Sequence, residues 1–220
     1  MQRIMESIFD ICYLVFAIGM GIYLIKNAKD KITKSYGIMS VVLGCGDAFH
    51  LIPRVYALNT TGFEANAAAL GFGKAVTSIT MTIFYLILYK IYKDYYKEDN
   101  KSLTFTILIL AIIRIIIGLL PQNMWLEYHQ PMNFAIYRNI PFAIMGIIMI
   151  ILFYKKSKLN DVFKTMYIAI FLSFAFYVPV VLFAETYPLV GLLMIPKTIA
   201  YAYIVYLGYK YYKLTLKNEA

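Results

Sequence analysis

The residues able to do chemistry crowd into one short stretch, Gly44-Cys-Gly-Asp-Ala-Phe-His-Leu-Ile-Pro-Arg54. Asp47, His50 and Arg54 stand at i, i+3 and i+7, so a helix places all three on one face. An Asp beside a His can fix the ring's tautomer and raise its basicity, which makes Asp47 and His50 a candidate acid–base pair. Arg54 carries the planar fork that grips carboxylate or phosphate. Gly44 and Gly46 let a neighbouring helix approach, and Pro53 frees a backbone carbonyl one turn back. The same three side chains would equally serve as a polar network that locks helices together.

Further candidates stand alone on apolar runs. Lys74 opens the hydroxyl-rich segment Lys74-Ala-Val-Thr77-Ser78-Ile-Thr80-Met-Thr82. Thr77 and Ser78, at i+3 and i+4 from Lys74, either line a cavity with it or bond their own helix carbonyls. Lys197 follows Pro196 and precedes Tyr201 by one turn; the expected partner of its charge is Asp47 or Glu185. Arg114 and Arg138 are single charges in otherwise apolar surroundings. The expected ligand-binding set is therefore Asp47, His50, Arg54, Lys74, Thr77, Ser78, Arg114, Arg138, Lys197 and Tyr201. Two histidines in the whole chain exclude a three-His zinc site, and no metal is expected. Of these two, His129 reads as an interfacial residue. No Gly-rich phosphate loop, serine-nucleophile motif or His-Glu-x-x-His is present.

The elements that must carry these groups follow from composition. Hydrophobic residues make up 61% of the 220, charged residues 15%, and the mean hydropathy is +0.68. A globule of this size has too little interior to hide that much apolar surface. The chain is expected to be a single all-α, polytopic membrane domain over 1–220. A helix needs about 20 apolar residues to cross the hydrocarbon, and seven stretches qualify: 7–26, 36–58, 66–92, 102–120, 132–154, 162–184 and 187–209. Glu6 and Asp10 interrupt the first, which reads as a permanent span and not a cleaved leader. Trp125 and Tyr128, between the fourth and fifth spans, read as interfacial anchors. Cys12 and Cys45 lie within apolar runs and suit neither a disulfide framework nor a thiolate metal site.

The net charge of +9 is distributed too finely for nucleic-acid binding. Fifteen of the Lys lie after spans one, three and five or in the C-terminal tail, with six of the 12 acids. The other six cations, Arg3, Arg54, Lys74, Arg114, Arg138 and Lys197, are matched by the other six acids. Since Lys and Arg are retained in the cytoplasm, the N-terminus is predicted outside and the C-terminus inside. Five of the six isolated cations then fall in the outer half of the spans, with Asp10, Asp47, His50 and Glu185. Each costs at least ~2.5–3.5 kcal/mol at mid-depth, so a shared polar pocket in the outer half is expected.

An internal repeat is also suggested. Phe16-Ala17-Ile18 matches Phe142-Ala143-Ile144, and Pro53 and Pro179 each follow 37 residues after the Phe. Lys74 falls near Lys197, and Tyr85-Leu-Ile-Leu-Tyr-Lys90 parallels Tyr206-Leu-Gly-Tyr-Lys210. Span four would link two parallel halves. This three-plus-one-plus-three plan with an outer N-terminus resembles, in architecture alone, the SWEET/PQ-loop transporters and the microbial rhodopsins. The resemblance covers the whole chain and rests on no specific motif; Pro121-Gln122 ends the linker span and does not sit in a triple-helix unit. The transporter likeness implies two parallel halves. The rhodopsin likeness implies a retinal-like chromophore on Lys197, although Leu193 stands where those proteins carry an acid and Lys74 stands where a counter-ion is wanted. Apart from that chromophore, no cofactor is expected.

Three functions remain open on the sequence. The first is a cell-membrane carrier for a small anionic solute. The second is an intramembrane enzyme acting on a lipid or isoprenoid headgroup through Asp47 and His50. The third is a seven-helix sensor. The partners expected are membrane lipids and a small anion or lipid headgroup.

Overall fold

Seven helices carry the chain in the computed structural model, which describes residues 2–184 and 186–219. They are α1 (Gln2–Asn27), α2 (Lys31–Asn59), α3 (Ala67–Tyr96), α4 (Lys101–Leu119), α5 (Met132–Lys156), α6 (Met166–Phe183) and α7 (Met194–Glu219). All seven are long and apolar enough to cross a membrane, and no strand occurs among the described residues.

Several helices outrun their apolar stretches toward the Lys-rich loops, because long charged side chains there reach water while the backbone keeps its ladder. Asp30 starts α2 by accepting the amides of Ile32 (2.8 Å) and Thr33 (2.9 Å). At the far end of α3, Lys97 turns into the left-handed region with φ of 55°. The seventh span departs most from expectation. Pro188–Leu193 forms a short 3-10 run, and α7 begins only at Met194. Pro196 explains the late start, since a proline is tolerated in the first turn, where amides lack intrahelical partners, but not farther in.

Consecutive helices pack side by side, and α7 returns to α1 and α2 to close a ring; α3 also reaches across to α5. Glycines draw α1, α2 and α3 together. A Cβ on Gly37 would meet the backbone of Gly21 and Ile25, and one on Gly73 would meet the Phe49 carbonyl and the His50 Cα.

The half of the ring beside the Lys-rich loops is filled mainly by aromatic and aliphatic side chains, with a cavity of about 480 Å³ at its rim beside Tyr92, Leu103, Ile148 and Lys156. Tyr36 stacks on Phe163 at 5.5 Å, Tyr95 meets Phe163 edge-on at 4.7 Å, and Tyr92 meets Phe153 at 5.3 Å. Ile91, Leu88 and Met145 fill the gaps without exposure. Lys156 bridges to Glu98 at the rim and Lys93 to Asp99. The Lys156 ammonium and the Tyr92 hydroxyl hold the Glu98 carboxyl below its ordinary range. Its contribution is therefore present above that range and lost as pH falls through the depressed value. The opposite half of the ring is hollow.

The close α2–α3 approach gives a direct test. Gly73→Leu should destabilise the protein by about 1–3 kcal/mol through overpacking, read as a lower thermal midpoint in detergent. Gly19→Ala, whose new methyl meets nothing within 4 Å, should leave the midpoint unchanged. Equal midpoints for the two variants would show that the helices are not in contact at Gly73.

Candidate functional site

The hollow half is a chamber of about 800 Å³, lined by residues of all seven helices and of the 120–131 and 184–193 connections. All four arginines of the chain line it (Arg3, Arg54, Arg114 and Arg138), and so do Lys74 and Lys197. Both histidines line it too, but among the described residues only two carboxylates do, Glu6 and Glu127. Nine of the ten expected site residues are on its wall. Asp47 is not, and Glu185 lies outside the described residues.

Asp47 instead faces α1, where its Oδ2 accepts the Tyr13 hydroxyl at 2.7 Å. The expected Asp47–His50 pairing therefore does not form. His50 turns its Nδ1 to the Leu70 carbonyl at 3.2 Å. A carbonyl only accepts, so Nδ1 carries the proton and Nε2 is left as the acceptor of a neutral ring. Gly73 makes this reach from α2 to α3 short. Thr77 adds a second tie by donating to the Gly46 carbonyl at 3.1 Å, while Ser78 on the next face lines the chamber.

Arg54 is already neutralised. It donates to Glu6 Oε2 at 3.0 Å, has Asp10 Oδ2 at 4.0 Å and lies 5.4 Å from the Phe63 ring centroid. Its charge binds α2 to α1 near the mouth, and the phosphate-gripping role expected of it has a carboxylate in the way. Lys197 stands over Tyr177 (4.8 Å) and Tyr201 (5.6 Å). Asp47 is within electrostatic reach of it but not in contact. Tyr201 is buried and its hydroxyl lies 3.5 Å from that of Tyr85.

Arg114 has the least compensated position. Its side chain is 3% exposed, its guanidinium carbon lies 3.4 Å from the Phe142 ring centroid, and its Nε and Nη1 find no hydrogen-bond partner among the described residues. The ring face stabilises a cation by about 2 kcal/mol or more when desolvated, which is less than the several kcal/mol that burying an ion costs. The remaining neutralisation has to come from the chamber.

The 120–131 connection holds the residues that sequence reasoning missed. Asn123, fully buried, donates to the carbonyls of Ile117 (2.6 Å) and Leu120 (2.9 Å) and so finishes α4. Its Oδ1 accepts Arg138 Nη1 at 2.9 Å. Trp125 makes specific contacts: its indole donates to the Gly118 carbonyl at 2.8 Å and its ring lies under Arg138 at 4.3 Å. Only glycine at 71 allows this fold-back, since a Cβ there would run into the Trp125 carbonyl. Asn139 accepts the Tyr177 hydroxyl at 2.9 Å on the same wall. The adjacent Arg138-Asn139 pair was the one available signal, because two polar residues in an apolar run must share partners. Among the described residues no three His, Cys, Asp or Glu side chains gather as a metal set.

No family model, curated protein or solved structure matches this chain. The chamber itself carries the argument.

Two substitutions should move stability in opposite directions. Arg114→Met removes an uncompensated buried cation and should raise the thermal midpoint of the ligand-free protein, by about 1–3 kcal/mol of stability. Tyr13→Phe strips Asp47 of its donor and should cost about 1–3 kcal/mol. A lowered midpoint for Arg114→Met would mean that the guanidinium has a structural counter-charge.

Proposed function

We propose that this protein is a multi-pass cell-membrane carrier that binds a small anion in the cation-lined chamber, with the chamber opening outward. The observation that carries the reading is Arg114, buried with its Nε and Nη1 lacking a hydrogen-bond partner, on the wall of a chamber where the described residues place six cations and two carboxylates. An anion there would meet strong fields, because low-dielectric walls screen little. Lys74, Arg138, Lys197 and the Ser78 and Tyr201 hydroxyls are the further contacts. The volume falls within the ~300–1,000 Å³ of small-molecule sites.

The outward orientation rests on the fifteen Lys beside one set of loops. The parallel three-plus-one-plus-three repeat is supported by its matched lysines, since Lys74 of α3 and Lys197 of α7 both reach the chamber. The enzyme reading has less support, because Asp47 is engaged with Tyr13 and absent from the chamber wall.

Two measurements test this. Alkaline phosphatase fused after Gly62 should be active and after Lys158 inactive; the reverse pattern overturns the outward chamber. Thermal shift with lactate, inorganic phosphate, octanoate and octyl phosphate, against choline as a cation, should show stabilisation by anions alone. Lys197→Gln should weaken it about tenfold or more, given the 1.5–3 kcal/mol of a charge-assisted hydrogen bond. Equal shifts with choline, or none with any anion, would sink the proposal.

A further inference from the structure

The chamber is not uniformly polar along its depth, and the order of its layers constrains what fits. Its floor holds Ser78, Arg114, Phe142 and Tyr201. One turn nearer the mouth lie Lys74, Arg138 and Lys197. Beyond them the wall changes character: Leu70, Ala135, Val180, Val181, Leu192 and Met194 form a mostly apolar collar, interrupted on one side by His50 and Gln130 beside Leu70 and Gly71. At a rise of 1.5 Å per residue the collar is about 6–8 Å deep. Charges return only at the rim, where Arg54 is paired with Glu6.

A small hydrated anion gains nothing from such a collar and must shed water to pass it. A molecule with an anionic head and an aliphatic tail uses both layers. Its head would neutralise Arg114 and Lys197, and its tail would fill the collar that otherwise exposes apolar surface to chamber water. We infer that the ligand of this chamber is a single-chain amphiphilic anion, bound with its phosphate or carboxylate head on the floor by Arg114 and Lys197 and with its alkyl tail in the collar.

This inference rests on the anion-carrier reading and goes one step beyond it, to the ligand's class. Trp125, the sole tryptophan, lies on the chamber wall and serves as an internal reporter. The experiment titrates the full-length protein in phosphatidylcholine liposomes and follows Trp125 emission. The probes are inorganic phosphate, butyl, hexyl and octyl phosphate, and the neutral octyl glucoside. Binding should tighten about threefold to fourfold per added CH2 while the tail lies within the collar, the value of one buried methylene, and then level off. Octyl glucoside should not bind saturably. Arg114→Gln, checked for an unchanged elution profile, should weaken octyl phosphate at least tenfold and flatten the chain-length series. Since partition into the bilayer is common to both proteins, the difference between them isolates the chamber. Lysophosphatidic acid preloaded in the liposomes should compete with octyl phosphate if the natural source is the bilayer. An absence of competition assigns the source to the aqueous side; both results uphold the amphiphile.

Three results would overturn it. If inorganic phosphate binds as tightly as octyl phosphate, the tail has no role and the amphiphile falls while the anion chamber stands. If the series is equally steep in Arg114→Gln, the head is not on the floor and the inference falls alone. If neither emission nor equilibrium dialysis detects any anion, both readings fall together.

Discussion

A guanidinium in the apolar part of a helix bundle demands a counter-charge or water, and the organisation of this protein follows from how Arg114 is treated. Among the described residues no carboxylate forms an ion pair with it. It receives one aromatic face, Phe142, and a chamber. The other isolated cations are handled differently: Arg54 is tied to acids of α1, Arg138 to Asn123 and Trp125, and Lys197 rests on two tyrosine rings. A gradient results, from fully compensated charge at the rim to uncompensated charge at the floor.

The two halves of the ring divide the labour. Toward the Lys-rich loops, aromatic and aliphatic side chains interlock around a smaller cavity of about 480 Å³ between α3, α4 and α5, and this packing holds the helices in register. Toward the other end, Gly44, Gly46 and Gly73 keep α1, α2 and α3 in close approach, and Gly71 admits the 120–131 connection. This rigid three-helix wall sets His50 and Thr77 in place through backbone carbonyls on the neighbouring helix. The facing wall is fixed instead by side-chain tips, through Asn139 with Tyr177 and Asn123 with Arg138.

Much of this was legible from the residues. Seven apolar runs became seven helices, because a backbone with no water to bond must satisfy itself within each segment. The convergence of His50, Arg54, Lys74, Arg114, Arg138 and Lys197 was legible for a related reason, the cost of leaving charge in hydrocarbon. What failed was pairing. Asp47 was assigned to His50 or to Lys197 on helical spacing and charge, but a neutral tyrosine on another helix, Tyr13, claimed it. Spacing along one helix says which residues share a face and nothing about which neighbour supplies the donor. The partners of Trp125 are illegible for a similar reason: composition marks a tryptophan in a loop as amphipathic, while its fold-back depends on a missing side chain 54 positions away, at Gly71.

The aromatic half has an electrical consequence. A membrane potential drops across whatever does not conduct, and a hydrated chamber open on one side is close to an equipotential with the solution it faces. The full voltage would then fall across the aromatic plug alone, not across the ~30 Å of hydrocarbon. A charge crossing the plug would still do about 2.3 kcal/mol of electrical work per 100 mV, but within a much shorter distance. Any rearrangement that carried the floor's cations even one helical turn toward the Lys-rich side would therefore sense a large share of the potential. In a membrane, the thickness of packed tyrosine and phenylalanine would set the length of the lever through which voltage could act on such a chamber.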